Sequence, residues 1–220
     1  MSQLTHFQKS FLKSLSMFGL TLLAGCSQTL QRQTCVELPS SVSYCLAPLS
    51  DASQDAGNKP ESFTDRSMTQ KTILKTQSSQ HELLTQLELD PQQLTLVGLA
   101  PLGQPLFTLT YDGEKLISEQ SSLLGDQFKA EYLLAIMQLI YWSEDSLNRH
   151  LQNGYIQSYN CDVAYCRKLI AAKPSANDMM NNAEDPQPIV TIRYSQLAPW
   201  QAKVKLQIDA ADFELIITPL

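Results

Sequence analysis

Short apolar segments with a two-residue alternation fill most of the sequence from residue 68 onward. In one of them Val204, Leu206 and Ile208 share a face, as in strands with one buried side. The turn Asp112-Gly113 is a typical hairpin signal. The predicted strands are Thr72 to Thr76, Glu82 to Leu89, Leu94 to Ala100, Leu106 to Tyr111, Lys115 to Glu119, Ile189 to Tyr194, Ala202 to Ile208 and Phe213 to Thr218. Strands in this rhythm predict an antiparallel sheet curled around one apolar face.

One segment has helical periodicity instead. Residues Gln127 to Trp142 read QFKAEYLLAIMQLIYW, and Asp126 is available as the N-cap. Because this segment is apolar over more than one face, we expect a helix that is buried against the sheet. A second short helix is predicted from Ser143 to Gln152, with Ser143 as its cap and Gly154 just past its end. The predicted fold is therefore mainly β, of the α+β class.

The first 25 residues predict export and lipidation. Lys9 and Lys13 precede the apolar run Leu15 to Leu23, which is shorter than the roughly 20 residues a spanning helix needs. The sequence Leu22-Leu23-Ala24-Gly25-Cys26 is similar to a bacterial lipobox, in which the cysteine is acylated and becomes the first mature residue. An ordinary signal peptide with a chance cysteine is the alternative. Ser27 stands where inner-membrane lipoproteins carry aspartate, so we expect an anchor in the outer membrane, on its periplasmic face.

The sequence divides into three parts. Residues 1–25 are the predicted lipoprotein signal peptide. Residues 26–67 contain the acylated cysteine, a polar tether, a cysteine-bracketed loop and a linker rich in Ser, Asp and Gly. Residues 68–220 form the folded domain, and residues 173–187 are a second polar loop within it.

The charge of the mature chain argues against nucleic acid as a partner. Removal of Lys9 and Lys13 leaves 14 basic against 22 acidic side chains, with no basic stripe. Attraction to anionic lipid headgroups is weak for the same reason. We therefore expect the acyl anchor itself to hold the protein at the membrane.

The cysteines after Cys26 predict disulfides. An even number of cysteines in an oxidising compartment indicates two bridges, and the local pairings are the simplest of three possibilities. These pairings are Cys35–Cys45 and Cys161–Cys166. Zinc binding is the competing interpretation, but neither His81 nor His150 has a zinc-type spacing to a cysteine. We expect no metal and no cofactor.

Residues that signal catalysis are scarce. The sequence has no glycine-rich phosphate loop, GxSxG elbow or HExxH helix. His81 begins a strand and His150 lies on a short, mostly polar helix, so both are more simply explained as solvated side chains. We therefore expect a binding protein with an apolar ligand and no enzymatic activity. On composition alone, apolar side chains that simply fill a solid core explain the sequence better.

The loop between Ala100 and Pro105 carries an unexplained leucine at its tip. Burial of a leucine side chain is worth roughly 1.5–3 kcal/mol, which an exposed turn in water forgoes. Beside a membrane the same side chain can enter lipid while Cys26 holds the domain close. Pro101, Leu102 and Gly103 are the predicted membrane-insertion loop.

The stretch VGLAPLGQPLFTLTYDGEKL, residues 97–116, resembles the corresponding part of the LolB family, outer-membrane receptors that take lipoproteins from a periplasmic carrier. The tail IVTIRYSQLAPWQAKVKLQIDAADFELIITP is similar in plan to the end of the same fold. The resemblance implies a half-open antiparallel β-barrel of the LolA/LolB type, with the helix packed in or over it. It also implies that Leu102 projects from the barrel and helps to insert cargo. The helix residues that would line the cavity or form its lid are Phe128, Tyr132, Ile136, Leu139 and Trp142.

A closer resemblance is to an uncharacterised family of LolB-like bacterial lipoproteins, often encoded in gene clusters for aryl polyene lipids. The matching segments are Gln86 to Pro91, Pro101 to Gly103, Leu106 to Gly113, Gln138 to Trp142 and Ile192 to Tyr194. The chain departs from that family's pattern in its cysteine pairs and in the inserts at 51–66 and 173–187. The resemblance implies a protein that binds or places a hydrophobic cargo at the outer membrane. That cargo would be a lipid, an aryl-polyene-type lipid or lipoprotein acyl chains, with a periplasmic carrier as a further candidate partner. The alternative is a scaffold lipoprotein with a filled barrel in an envelope or lipid-biosynthesis complex.

Overall fold

The computed structural model describes residues 29–53, 65–124, 129–172 and 187–220, and these form two antiparallel sheets and two α-helices. The strands are β1 (Thr29–Arg32), β2 (Cys35–Leu38), β3 (Val42–Cys45), β4 (Arg66–Lys75), β5 (Gln80–Leu89), β6 (Leu94–Leu99), β7 (Pro105–Tyr111), β8 (Leu116–Gln120), β9 (Leu151–Gln152), β10 (Gly154–Ser158), β11 (Tyr165–Ala171), β12 (Val190–Tyr194), β13 (Val204–Ile208) and β14 (Phe213–Pro219). The helices are α1 (Ala130–Tyr141) and α2 (Glu144–His150). Short 3-10 turns occupy Pro39–Ser41, Leu49–Ser53, Ser122–Leu124, Pro199–Gln201 and Asp209–Ala211.

The large sheet has eleven strands in the order β1-β8-β7-β6-β5-β4-β14-β13-β12-β11-β10. Most neighbours are joined by hairpins, and β14 pairs with β4, so that the two halves of the chain form one sheet. Strands β1 and β10 are its edges, and within the described residues the sheet does not close. The smaller sheet has the order β2-β3-β9. The prediction of a mainly β protein with a large antiparallel sheet is confirmed.

The predicted strands all occur, with shifts of at most two residues at their ends, except that β4 begins six residues earlier than predicted. Their alternation has the expected result, since Val204, Leu206 and Ile208 of β13 are buried. The apolar side chains of one face form a single core with α1. Asp112-Gly113 lies in a hairpin as predicted, although residues 112–115 make a four-residue connection in which Tyr111 pairs with Leu116. Gly113 has a φ of 98°, which favours glycine.

Helix α1 is buried on all sides, as its sequence predicts. Eleven of its twelve residues are buried, all but Tyr132. The helix begins at Ala130, with Lys129 in the N-cap position and no side-chain capping bond. The predicted cap, Asp126, lies outside the described residues. Glu131 supplies a negative charge in the first turn, which complements the helix dipole.

Helix α2 begins as predicted and ends early. The Ser143 side chain accepts a hydrogen bond from the backbone N–H of Ser146, which confirms it as the N-cap. The helix ends at His150 because Leu151 starts β9, which pairs with β3. Gly154 is therefore not the residue after the helix but the first residue of β10. A Cβ at Gly154 would lie 2.8 Å from a methyl group of Val42, so close approach of the two sheets requires glycine there.

The segment before residue 68 is more ordered than its composition predicts. The predicted tether contains β1, the predicted cysteine loop is the hairpin of β2 and β3, and the start of the predicted linker forms the turn Leu49–Ser53. Buried apolar side chains in this segment explain the difference: they are Val36, Leu38, Val42, Tyr44, Leu46, Leu49 and Ala52. These side chains belong to the same core as the large sheet.

Strands β10 and β11 were not predicted. Their residues mix aromatic, charged and apolar types without clean alternation, and both Cys166 and Arg167 are buried although they are sequence neighbours. Strand β11 pairs with β12, so this part of the chain extends the sheet by two strands beyond the predicted ones.

Candidate functional site

The loop 100–104 connects β6 to β7 and leaves the side chain of Leu102 exposed. The N–H of Gly103 donates to the carbonyl of Ala100 (2.8 Å), and the N–H of Ala100 donates to the carbonyl of Gln104 (2.8 Å). Gly103 has a φ of 82°, which only glycine adopts without strain. The side chain of Leu102 is 93% exposed. Leu102 is therefore not a core residue, while its role in membrane insertion stays a prediction.

The base of this loop is fixed by Gly98 and Phe107. The pairing of β6 with β7 shifts register between Gly98 and Leu99. Gly98 is opposite Phe107, and a Cβ at Gly98 would lie 2.2 Å from the Phe107 ring. The glycine thus leaves room for the buried ring, which closes the core beneath the exposed loop.

A second leucine, Leu123, is exposed beside this loop. It lies in the turn Ser122–Leu124 that follows β8, and its side chain is 73% exposed. The N–H of Ser121 donates to the carbonyl of Leu106 (2.8 Å), which places the turn next to the start of β7. The neighbouring side chain of Leu124 packs against the core. The two consecutive leucines after Ser121-Ser122 were a signal that the sequence analysis missed, since only one of them contacts the core in this short turn.

The N-terminal strand starts at this same end of the sheet. Thr29 pairs with Glu119 of β8. The next residue of β8, Gln120, pairs with Phe107 near the start of β7. The guanidinium of Arg32 donates to the Ser118 hydroxyl (2.8 Å) and to the Gln120 side chain (2.7 Å), which ties β1 to β8. The predicted acylation site Cys26 lies outside the described residues. Since Thr29 is three positions after Cys26 in the sequence, the Cα atoms of the two residues can be at most about 10 Å apart.

The two ends of the sheet differ in charge around these loops. We define the Leu102 end by the loops 76–79, 100–104 and 121–124, which contain no charged residue. The loops 90–93 and 112–115 lie at the opposite end and carry three acidic residues and one lysine. Hydrogen bonds from the backbone N–H groups of residues 115 and 114 lower the pKa of the Asp112 carboxyl, so that end stays negatively charged.

Farther along the sheet, the same end does carry charged residues. The turn between β13 and β14, where Ile208 pairs with Phe213, also lies at this end and contains Asp209 and Asp212. It is separated from β7 by the strands β6, β5, β4 and β14. Beside β7 and β8, the loops 100–104 and 121–124 are uncharged, while the exposed Glu119 of β8 is the charged residue next to them.

Gln138, at the centre of α1, fastens the N-terminal hairpin to the helix. Its side-chain oxygen accepts from the Tyr44 hydroxyl (2.7 Å) and from the N–H of Ala47 (2.8 Å), and its NH₂ donates to the carbonyl of Ala47 (2.9 Å). Gln138, Tyr44 and Ala47 are each fully buried. Burial raises the pKa of Tyr44 far above its usual range, so the phenol stays protonated and can donate. Buried polar atoms of this kind are stable only when paired.

The C-terminal end of α1 is held by side chains of β11 and β12. Buried Arg167 donates to the carbonyl of Trp142 (2.7 Å), and the Tyr194 hydroxyl donates to the carbonyl of Ile140 (2.8 Å). A cation at this position also complements the negative end of the helix dipole. Arg167 in turn lies 3.6 Å from the Glu144 carboxylate. The predicted motif segments Gln138 to Trp142 and Ile192 to Tyr194 therefore meet at the attachment of the helix.

Four of the five predicted cavity or lid residues are described, and Phe128 is not. Tyr132 is half-buried, while Ile136, Leu139 and Trp142 are buried in the core. Three buried side-chain atoms in the described chain lack a hydrogen-bond partner: Gln70 Oε1, Glu131 Oε2 and Trp142 Nε1. An unpaired buried polar atom costs about 1–3 kcal/mol, so each of these three atoms destabilises the folded core.

Asp51 forms a buried polar cluster with α2. Its carboxylate accepts from the Ser146 hydroxyl (2.8 Å) and from Arg149 (2.7 Å), and His150 lies 3.7 Å away. Burial opposes ionisation of Asp51, but these hydrogen bonds outweigh it and lower the pKa of the carboxyl. His81 is exposed at the start of β5, as expected. His150 is part of this cluster and is only partly exposed, which its sequence context did not indicate.

Both predicted disulfides, Cys35–Cys45 and Cys161–Cys166, are confirmed. The first joins paired residues of β2 and β3, and the second closes the connection between β10 and β11. Among the residues that the structure describes, no three His, Cys, Asp or Glu side chains lie close enough to hold a metal ion together. In the same part of the chain, no helix has the length and apolarity needed to cross a membrane.

Comparison with known proteins places the chain in a family. No curated protein matches it. A family model described as a protein of unknown function, DUF3261, matches residues 67–220. This span runs from the second residue of β4 to the last residue of the chain, so it contains the Leu102 end and both helices. The chain belongs to the DUF3261 family of proteins of unknown function.

Proposed function

We propose that this protein is a lipoprotein anchored through Cys26 at the periplasmic face of the outer membrane, where it binds or places a hydrophobic cargo without enzymatic chemistry. The cargo is a lipid, such as an aryl-polyene-type lipid, or the acyl chains of a lipoprotein. One observation carries the proposal: Thr29, the first described residue after Cys26, lies at the same end of the sheet as Leu102. A chain anchored there presents its exposed leucine to the membrane.

The architecture supports the same proposal. The open eleven-strand sheet with α1 against its apolar face suits a half-open barrel of the LolA/LolB type. A periplasmic carrier that delivers the cargo is a further candidate partner.

The membrane half of the proposal is tested with Leu102→Glu. Because the side chain is 93% exposed, the substitution should change the free energy of unfolding by no more than about 0.5 kcal/mol. If Leu102 enters lipid, the variant loses roughly 1.5–3 kcal/mol of membrane affinity, a factor of about 10 to 100. Residues 27–220, which contain every described residue, are floated with phospholipid vesicles to measure this. Leu197→Glu is the matched control, since Leu197 is 75% exposed at the opposite end. Equal binding of the two variants, or unfolding by Leu102→Glu, would contradict the proposal.

The cargo half is tested by native mass spectrometry of residues 27–220 produced in the periplasm without the anchor. We expect an additional mass that matches a lipid and that is lost on denaturation. A clean apo mass would favour the second candidate function, a scaffold lipoprotein with a filled interior in an envelope or lipid-biosynthesis complex. The burial of Ile136, Leu139 and Trp142 is the observation that supports this candidate. A stable protein partner captured from the envelope would then be expected.

A further inference from the structure

We infer that Leu123 is a second membrane-contact residue, which inserts into phospholipid beside Leu102 and fixes the orientation of the domain on the bilayer. This inference rests on the proposed function and deepens it. Sequence patterns gave no role to Leu123, and the inference comes from its position. With a 73% exposed side chain, it is one of the two large apolar residues exposed in the loops of the Leu102 end that the structure describes.

Leu123 is held in place by its surroundings. The N–H of Leu123 donates to the Ser121 hydroxyl (3.3 Å), and the N–H of Leu124 donates to the carbonyl of Ser121 (3.1 Å). Ser121 is itself bonded to Leu106 at the start of β7. With Leu124 packed on the core, the turn has one leucine inward and one outward. Leu123 therefore projects from a fixed turn rather than from a free end.

The two exposed leucines leave the sheet from neighbouring strands. Leu102 precedes β7 and Leu123 follows β8, and adjacent strands lie about 4.8 Å apart. Strand β1 pairs with β8 on its other side and leads back to Cys26. Two exposed apolar side chains and Thr29, which is three positions after the proposed acylation site, thus lie at one end of three strands. Three such contacts restrict both the tilt and the rotation of the domain at the membrane, which an anchor alone does not.

Lipid is the partner whose chemistry fits this surface. The loops 100–104 and 121–124 contain no charged side chain that would have to be desolvated on entering the headgroup region. The short chain between Cys26 and Thr29 keeps this end within about 10 Å of the acylated residue. An exposed leucine at the opposite end, Leu197, has no such tether nearby. A protein partner would not require the leucines to be next to the anchor.

The test uses the acylated protein in vesicles of phosphatidylethanolamine and phosphatidylcholine, which carry no net charge. Single substitutions Leu102→Cys, Leu123→Cys and Leu197→Cys introduce one free thiol each, because the four described cysteines are paired in disulfides. Each thiol is labelled with a polarity-sensitive fluorophore. We expect a blue-shifted emission and protection from an aqueous quencher at positions 102 and 123, with neither at 197.

A second measurement uses uncharged substitutions in residues 27–220. Leu123→Gln should lower the affinity for the same vesicles about tenfold, and Leu197→Gln should leave it unchanged. Protection at position 102 without protection at 123 would overturn this inference and leave the proposed function standing. Absence of protection at both would overturn both. Equal protection at all three positions would indicate unspecific adsorption and would also overturn the inference.

Discussion

Substitution of Gln138 tests the attachment of the N-terminal hairpin to the domain. We choose Gln138→Met, because methionine has a similar length and no strong hydrogen-bonding group. The change removes the bonds with the Tyr44 hydroxyl and with both backbone groups of Ala47. All three groups lie in the buried core, so water does not readily replace the amide.

The magnitude follows from the groups left unpaired. Each buried donor or acceptor without a partner costs about 1–3 kcal/mol, and three groups are affected. We therefore expect Gln138→Met to lower the free energy of unfolding by about 3–9 kcal/mol, a large part of the 5–15 kcal/mol typical of a domain. Tyr44→Phe removes only one bond and leaves both bonds to Ala47, so its cost should be about 1 kcal/mol.

The measurement is urea denaturation of oxidised residues 27–220, followed by circular dichroism and by tryptophan fluorescence. An unchanged slope with denaturant would show that the midpoint shift reports stability alone. When Tyr44→Phe is combined with Gln138→Met, it should cost less free energy of unfolding than it does alone, because Gln138, the partner of the Tyr44 hydroxyl, has already been removed. If Gln138→Met costs no more than Tyr44→Phe, the amide does not fasten the hairpin and the reasoning is wrong.

Three further substitutions test other parts of the fold. Gly98→Val should destabilise the domain by about 1–3 kcal/mol, because the new side chain meets the Phe107 ring; differential scanning calorimetry should show a lower Tm. The pKa of Asp51 is lowered in the folded protein, so its carboxylate stabilises the fold above the unfolded-state pKa of about 3.9, and this stabilisation is lost as the pH falls below that value. Asp51→Asn should therefore flatten the acid side of a plot of the free energy of unfolding against pH. Arg167→Met leaves the carbonyl of Trp142 without its buried donor and should cost about 3 kcal/mol in urea denaturation, whereas an unchanged midpoint would show that water replaces the guanidinium.

Much of the sheet is predictable because its strands bury one face only. Alternation in β13 and the hairpin turns between β4 and β8 are local signals, and their strands pair with their sequence neighbours. Helix α1 is predictable for a related reason, since an apolar surface wider than one face requires burial on several sides. The disulfides were predicted from the even number of cysteines after Cys26 together with the expected export of the chain, and the hairpin of β2 and β3 places Cys35 opposite Cys45.

The elements that the sequence did not predict depend on distant contacts. Strand β1 is polar, and it exists because Arg32 reaches side chains of β8 that are more than 80 residues away. Asp51 lies in a stretch with the composition of a linker, yet it is buried because Ser146 and Arg149 pair with it. A polar residue near the start of a loop gives no local sign that its partner lies on a helix formed much later in the chain.

The exposure of Leu102 could be predicted from the sequence, whereas the exposure of Leu123 could not. Leu102 stands alone between two prolines, so its exposure follows from a turn too short to return the side chain to the core. Leu123 is followed by Leu124, and only the packing of the turn decides which of the two contacts the core. The direction of β1 could not be deduced from a segment whose composition indicates a tether. Yet that direction places Thr29, three positions after Cys26, at the end with both exposed leucines, and so it connects the proposed anchor to the proposed membrane contact.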